Sequence, residues 1–210
     1  ATIGKDISHI EKVTMDDVKS FFHTHYAPDN AFLVVAGKVK YEEVVRLSEK
    51  WFGPIPASGR PKRSLPQEIV QSERRETALT GNVPQDSLTI AYPMPGKFEE
   101  EYFSTDLVRD VLGRDKSSRL YTHLVRVEKL FICINAYVTV SNDPGLLIIS
   151  GKLNQAIDIK KAEKAINQVI DSVRSGISEE ELEKVKNQAE SALIFGDMEV
   201  LNRAMRIAMA

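Results

Sequence analysis

The sequence predicts an α+β fold in which a mostly antiparallel β-sheet is layered against helices. The predicted elements run helix, strand, helix, strand, strand, helix, helix, strand, strand, helix, helix. This clustering differs from the regular alternation that builds a parallel sheet. Residues 131–140 and 145–153 form a predicted strand pair, joined by turn-forming residues at 141–145. A chain of 210 residues is long enough for one large domain or two small ones.

Two helices flank a short strand in the first quarter of the chain. Thr14, with Asp17 three residues later, predicts a capping box, and the turn-forming residues 26–30 end the first helix. The apolar run 31–37 predicts a strand covered on much of both faces. A second helix is predicted from Tyr41 to Phe52, with four apolar side chains directed toward a core: Val44, Val45, Leu47 and Trp51.

The middle of the chain begins with a basic connector. Residues 57–66 contain Arg60, Lys62 and Arg63 without interleaved aromatic residues, which favours a solvated surface loop over a nucleic-acid contact. Strands are predicted near 67–80 and at 87–92, followed by a helix at about 99–112. Ser117 or Ser118 is expected to cap the next helix.

The last quarter of the chain is predicted to be helical. A helix at about 158–174 ends before Gly176, for which a left-handed backbone conformation is expected. Ser178 and Glu181 predict a second capping box. The tail 197–210 continues the helical pattern, with a kink expected at 195–196.

The charge balance gives no electrostatic reason to expect binding to nucleic acid or to an anionic membrane. Lys and Arg number 28 against 30 Asp and Glu, which gives a net charge of −2. No stretch approaches the ~20 apolar residues needed to span a bilayer, and no signal peptide is visible. The ends look cut, so we expect a fragment of a longer chain. The sequence is compatible with the bacterial cytoplasm and with the periplasm.

Cys133 is the only cysteine, which excludes an internal disulfide and a zinc site built from cysteines. It lies in the apolar run 130–134, so we expect a buried, unreactive strand position.

The four histidines, His9, His23, His25 and His123, do not form a zinc peptidase motif. Such a motif places two histidines four residues apart with a glutamate between them, or has the inverted order H-x-x-E-H. His23 and His25 are two residues apart, so a helix turns them about 200° from each other and they cannot chelate one ion. We expect one of them on the surface and the other partly packed. No catalytic or metal-binding residue is assigned.

Other catalytic signatures are absent from the sequence. It has no G-x-S-x-G elbow, no phosphate-binding P-loop and no G-x-G-x-x-G. Carboxylate clusters occur at 16–17, 42–43, 99–101 and 179–181. Each lies at a predicted helix start, where acids favour the positive end of the helix dipole, so capping accounts for them.

Three segments in the same order resemble the C-terminal, non-catalytic half-domain of the pitrilysin/insulinase family of zinc metallopeptidases, which includes the mitochondrial processing peptidases. The first is 13–37, with an entry helix, a Tyr-x-Pro-x-Asn turn and a strand that ends in glycine. The second is 51–56, Trp-Phe-Gly-Pro-Ile-Pro. The third is 110–121, with Asp-Val-Leu-Gly and Ser-Ser-Arg-Leu-Tyr, followed by Asp-Pro-Gly at 143–145. The order and spacing match from about residue 10 to 205.

The resemblance implies an α/β sandwich, in which an antiparallel sheet carries helices on one side. Family proteins pair two homologous halves around a peptide chamber, and H-x-x-E-H with a downstream Glu binds zinc in the preceding domain. We therefore expect zinc in a partner half, in the same chain or a separate subunit, and none in this chain. Residues 1–210 would be a single domain, with a lead-in at 1–12, a connector at 57–66 and a truncated tail at 197–210.

Two departures from the family leave the substrate-binding residues unassigned. Many active members have Gly-Leu-x-Tyr after the third segment, whereas this chain has Lys129 in place of Gly and Ile132 in place of Tyr. The strand after Gly145 lacks the Arg of an Arg and Tyr pair that the non-zinc half uses to engage substrate.

Three functions stay open on this basis. The first is a non-catalytic domain of a zinc endopeptidase that forms part of the peptide chamber and supports the zinc-bearing half. The second is a peptidase-derived assembly subunit without a proteolytic role. The third is an unrelated α+β binding module.

Overall fold

The computed structural model describes residues 6–59, 71–140 and 142–209. Its helices are α1 (Ser8–Glu11), α2 (Met15–His25), α3 (Tyr41–Phe52), α4 (Glu101–Gly113), α5 (Ile159–Arg174), α6 (Glu179–Gly196) and α7 (Val200–Met209), with a 3₁₀ turn at Pro28–Asn30 and a π-helix at Tyr121–Val127. Its strands are β1 (Ser87–Met94), β2 (Phe131–Val138) and β3 (Gly145–Leu153). The chain divides into two compact units, one made of 1–75 with 193–210 and the other of 76–192.

The unit of 76–192 is built on a three-stranded antiparallel sheet with the order β1-β3-β2. Ile149 of the central strand lies opposite Ile90 on one side and Ala136 on the other. A register shift between Phe131 and Cys133 marks a bulge near the start of β2. The predicted strand pair and the predicted strand at 87–92 are confirmed.

Helices cover one face of this sheet. Alternate residues of β3, Leu147, Ile149 and Leu153, are buried, because successive strand side chains point to opposite faces. They share a core with buried residues from α4, the π-helix and α5: Leu112, Leu120, Leu124, Ala162, Ala165, Ile166 and Val169. The predicted α+β fold, with helices on one face of an antiparallel sheet, is confirmed.

The helix expected after Ser117 or Ser118 begins at Arg119 and widens into the π-helix. Two backbone hydrogen bonds end it, from Glu128 N to His123 O and from Leu130 N to Leu124 O. Between them Lys129 has a φ of 53°, in the left-handed region that favours glycine. The family's glycine at this position therefore has a conformational reason, and the lysine of this chain is strained there.

The cap expected from Ser117 or Ser118 is not observed, since the Ser118 hydroxyl donates to the Asp115 carbonyl and the π-helix has no side-chain cap. The two predicted capping boxes and the glycine after α5 are confirmed. Thr14 and Asp17 form the predicted capping box, with Thr14 N donating to Asp17 Oδ2 at 2.9 Å and Asp17 N donating to Thr14 Oγ1 at 3.2 Å. Ser178 and Glu181 form the second one. Gly176 has a φ of 146° after α5, as expected. The tail differs from a single kinked helix, since α6 ends at Gly196 and α7 begins at Val200.

The prediction of a strand at 31–37 is wrong. Residues 31–36 carry no strand pairing, and the side chain of Phe32 is 86% exposed. The apolar run supplies β propensity, but a strand also needs a neighbouring backbone to hydrogen bond with, and none of the described residues provides it. Residues 71–80 of the strand expected near 67–80 are likewise unpaired, whereas 67–70, and 60–66 of the basic connector, lie outside the described residues.

The bounds predicted for α3 are confirmed, but its apolar residues are not a core. Leu47 and Trp51 are exposed, Trp51 at 64%, and Val44 and Val45 are half-buried. Helical periodicity determines which side chains share a face, and it does not determine whether another layer covers that face. Among the described residues, no helix is both long and apolar enough to cross a membrane.

Candidate functional site

The histidines are distributed over surface positions. His23 and His25 lie in the last turn of α2 and are both exposed, so the expectation that one would be partly packed is wrong. The ring of His25 lies 4.4 Å from that of Phe21, and the ring of His23 lies 6.1 Å from that of Phe22. His9 in α1 and His123 in the π-helix are also exposed. Across the three described ranges, no group of three or more His, Cys, Asp or Glu side chains is placed to hold a metal ion.

The sheet face opposite the helices carries exposed side chains from all three strands. Its exposed residues are mostly uncharged and come from all three strands: Ser87, Thr89 and Ala91 of β1, Cys133, Asn135 and Tyr137 of β2, and Leu146 and Lys152 of β3. We call these residues the open face. The hydroxyl groups of Thr89 and Ser150, on neighbouring strands, lie 2.9 Å apart and hydrogen bond across it.

The open face offers two kinds of contact. Tyr137 is 45% exposed and supplies apolar area with a polar end, and Leu146 supplies aliphatic area. Hydroxyl and amide groups beside them offer donors and acceptors for a main chain. Lys152 is its only charged side chain among the described residues, so the face has little electrostatic preference for one sign of charge.

Cys133 belongs to the open face, and the expectation that it is buried is wrong. Phe131 and Ile134 are buried, whereas the two residues between them are exposed. The bulge at the start of β2 inserts one residue, which turns Cys133 away from the core face on which simple alternation from Phe131 would place it. A continuous apolar run gives no signal for such an insertion.

Arg119 forms an arginine clamp that links three helical segments of the same unit. Arg119 donates from Nε to Glu181 Oε1 at 2.8 Å and from Nη2 to Glu181 Oε2 at 2.7 Å. It also donates to Ser172 Oγ and to the carbonyl of Gly176, so one side chain joins the start of the π-helix to the α5–α6 turn. The hydrogen bonds from Arg119 are the main cause that lowers the pKa of Glu181 to about 2. Sequence reasoning placed Arg119 in a family motif without finding this role.

A buried carboxylate lies at the end of α4, and arginines of the same helix and its C-terminal cap balance its charge. Asp110 is 4% exposed; its Oδ2 accepts from Arg114 Nη1 at 2.6 Å, and its Oδ1 lies against Arg109. Oδ1 has no hydrogen bond of good geometry, so the adjacent guanidinium charge alone compensates it. Both arginines are paired with Asp110 within α4 and its C-terminal cap, so the contacts of this carboxylate describe a structural ion-pair cluster.

The four acidic clusters lie at helix starts as expected, but only those at 16–17 and 179–181 include a capping side chain, since neither α3 nor α4 has a side-chain cap hydrogen bond. The pKa of Asp17 is lowered by the hydrogen bonds of its carboxylate with Thr14, first with the side chain and then with the backbone. Glu42 and Glu43 lie in the first turn of α3, and residues 179–181 in that of α6.

The unit of 1–75 and 193–210 contains an apolar groove of about 640 Å³. The groove lies between residues 33–39, which we call the extended segment, and α3. Its apolar lining includes Leu33, Val35, Val39, Leu47 and Trp51, and its polar lining includes Lys38 and Lys40. Three of the four side chains expected to form a core in this part of the chain, Val44, Leu47 and Trp51, thus line an open groove.

Comparison with known proteins agrees with this picture of a non-catalytic domain. Residues 12–189 match the family described as the peptidase M16 inactive domain. A zinc protease of Helicobacter pylori, PqqE, is 24% identical over 84% of this chain and 41% of its own length. The mitochondrial-processing peptidase subunit beta of Lentinula edodes is 27% identical over 66% of this chain and 32% of its own length. The chain spans less than half the length of these two relatives.

Solved structures show the same fold. A protease from Helicobacter pylori superposes with a TM-score of 0.80 at 20% identity, over 97% of this chain and 50% of that one. A peptidase M16 inactive domain from Pseudomonas fluorescens superposes with a TM-score of 0.78 at 16% identity, over 97% of this chain and 48% of that one. The chain belongs to the peptidase M16 family, as its inactive domain. The resemblance seen in the sequence is confirmed, and the domain is a non-catalytic part of zinc protease-like proteins.

Proposed function

We propose that this domain forms one wall of the peptide chamber of a two-part zinc endopeptidase and supports the half that binds the metal. The observation that carries the proposal is the match of residues 12–189 to the inactive domain of a peptidase family. Relatives named zinc proteases are about twice as long as this chain, which leaves room in them for a second, zinc-bearing half. Zinc in the present protein would be held by that partner half.

The wall of the chamber, in this proposal, is the open face of the sheet. The three strands provide the surface, and the helical layer behind them supports it through the shared core. Its hydroxyl, amide and phenol groups suit contact with peptides of varied sequence, because they engage main chain and side chains without a strong charge preference.

The first experiment tests the division of labour between the halves. The purified chain is analysed for zinc by mass spectrometry and for cleavage of a fluorogenic peptide library. We expect no stoichiometric zinc and no chelator-sensitive cleavage, and we expect cleavage to appear when the half that carries H-x-x-E-H is added. Stoichiometric zinc in this chain, or turnover lost in His23→Ala and kept in His123→Ala, would overturn the proposal. A stable complex of the two halves that never cleaves peptide would point instead to an assembly role.

The second experiment tests the open face and uses Cys133, the single thiol, as it stands. A benzophenone maleimide is attached there, and the complex is irradiated with peptide after the glutamate of H-x-x-E-H in the partner has been changed to glutamine to prevent cleavage. We expect peptide to be captured from Cys133 only when the partner half is present.

The matched control moves the thiol to the exposed side of α5, in the double variant Cys133→Ser with Lys160→Cys. Little capture is expected from this position. Equal capture from both positions, or none from Cys133 in a complex whose unmodified form is active, would refute the open face as the chamber wall while leaving the pairing of the halves intact.

A further inference from the structure

We draw no further inference here: the strongest candidate, the apolar groove between the extended segment 33–39 and helix α3, supports no proposal because nothing in the described residues shows what covers it.

Discussion

Removal of the Arg119 clamp should destabilise the unit of 76–192 by a measurable and pH-dependent amount. The ion pair is bidentate and half-buried, with the Arg119 side chain 16% exposed and that of Glu181 32% exposed. The pKa of Glu181 falls from 4.5 to about 2, and one pKa unit corresponds to about 1.4 kcal/mol. Converting the whole pKa change into folding free energy gives about 3 kcal/mol. Because the Glu181 side chain is about one-third exposed, solvent screening reduces this stabilisation to about 1–2 kcal/mol.

A double-mutant cycle isolates the part of that energy that comes from the Arg119–Glu181 pair. Arg119→Ala, Glu181→Ala and the double variant are compared with the parent chain. The capping box between Glu181 and Ser178 is lost in both the Glu181 single variant and the double variant, so it cancels from the coupling term. We expect a coupling free energy of about 1–2 kcal/mol at neutral pH.

The assay must report on the correct unit. Trp51, the only tryptophan, lies in the unit of 1–75 and 193–210, so its fluorescence does not follow the clamp. Hydrogen exchange read by mass spectrometry on peptides covering α5 and the start of α6 gives the local free energy of opening. Helix α2, in the other unit, serves as the internal reference and should not change.

The pH dependence has a definite sign. Because the pKa of Glu181 is lower in the folded than in the unfolded chain, its contribution is complete above about pH 4.5 and is lost as the pH falls toward about 2. A coupling energy near zero at neutral pH, or one that grows on acidification, would refute the assignment of Arg119 and Glu181 as a stabilising pair.

Three substitutions test the backbone features. A Cβ added in Gly113→Ala collides with the β2 backbone and should cost about 1–3 kcal/mol in urea unfolding, whereas Gly196→Ala, with no neighbour within 4 Å, should cost nothing. Lys129→Gly relieves the strain of a φ of 53° and should raise the free energy of unfolding by up to about 1 kcal/mol. The control Lys186→Gly, within α6, should lower it by about 1 kcal/mol. Equal losses of stability in the two variants would contradict the strain at Lys129. Thr14→Ala removes a cap and should increase hydrogen exchange in the first turn of α2 by the equivalent of about 1 kcal/mol, and unchanged exchange would contradict that role.

The features that the sequence alone determined are those decided by neighbours a few residues apart. Both capping boxes, the strand pair β2–β3 and the positive φ at Gly176 depend on hydrogen bonds or turns within short segments, and all are present. The family resemblance identified an unusual lysine at 129, although only the structure showed the backbone conformation that makes glycine the expected residue there.

Contacts between distant segments were decided by the tertiary structure. The apolar run 31–37 lacks a pairing partner among the described residues, and the exposure of α3 depends on what packs over it. A one-residue bulge places Cys133 on the open face, and Arg119 pairs with Glu181, which lies 62 residues later in the sequence. Propensity and periodicity describe which element a segment can form. Strand pairing, the burial of a helix face and long-range ion pairs also depend on where a second, distant segment lies, and a local pattern carries no information about that.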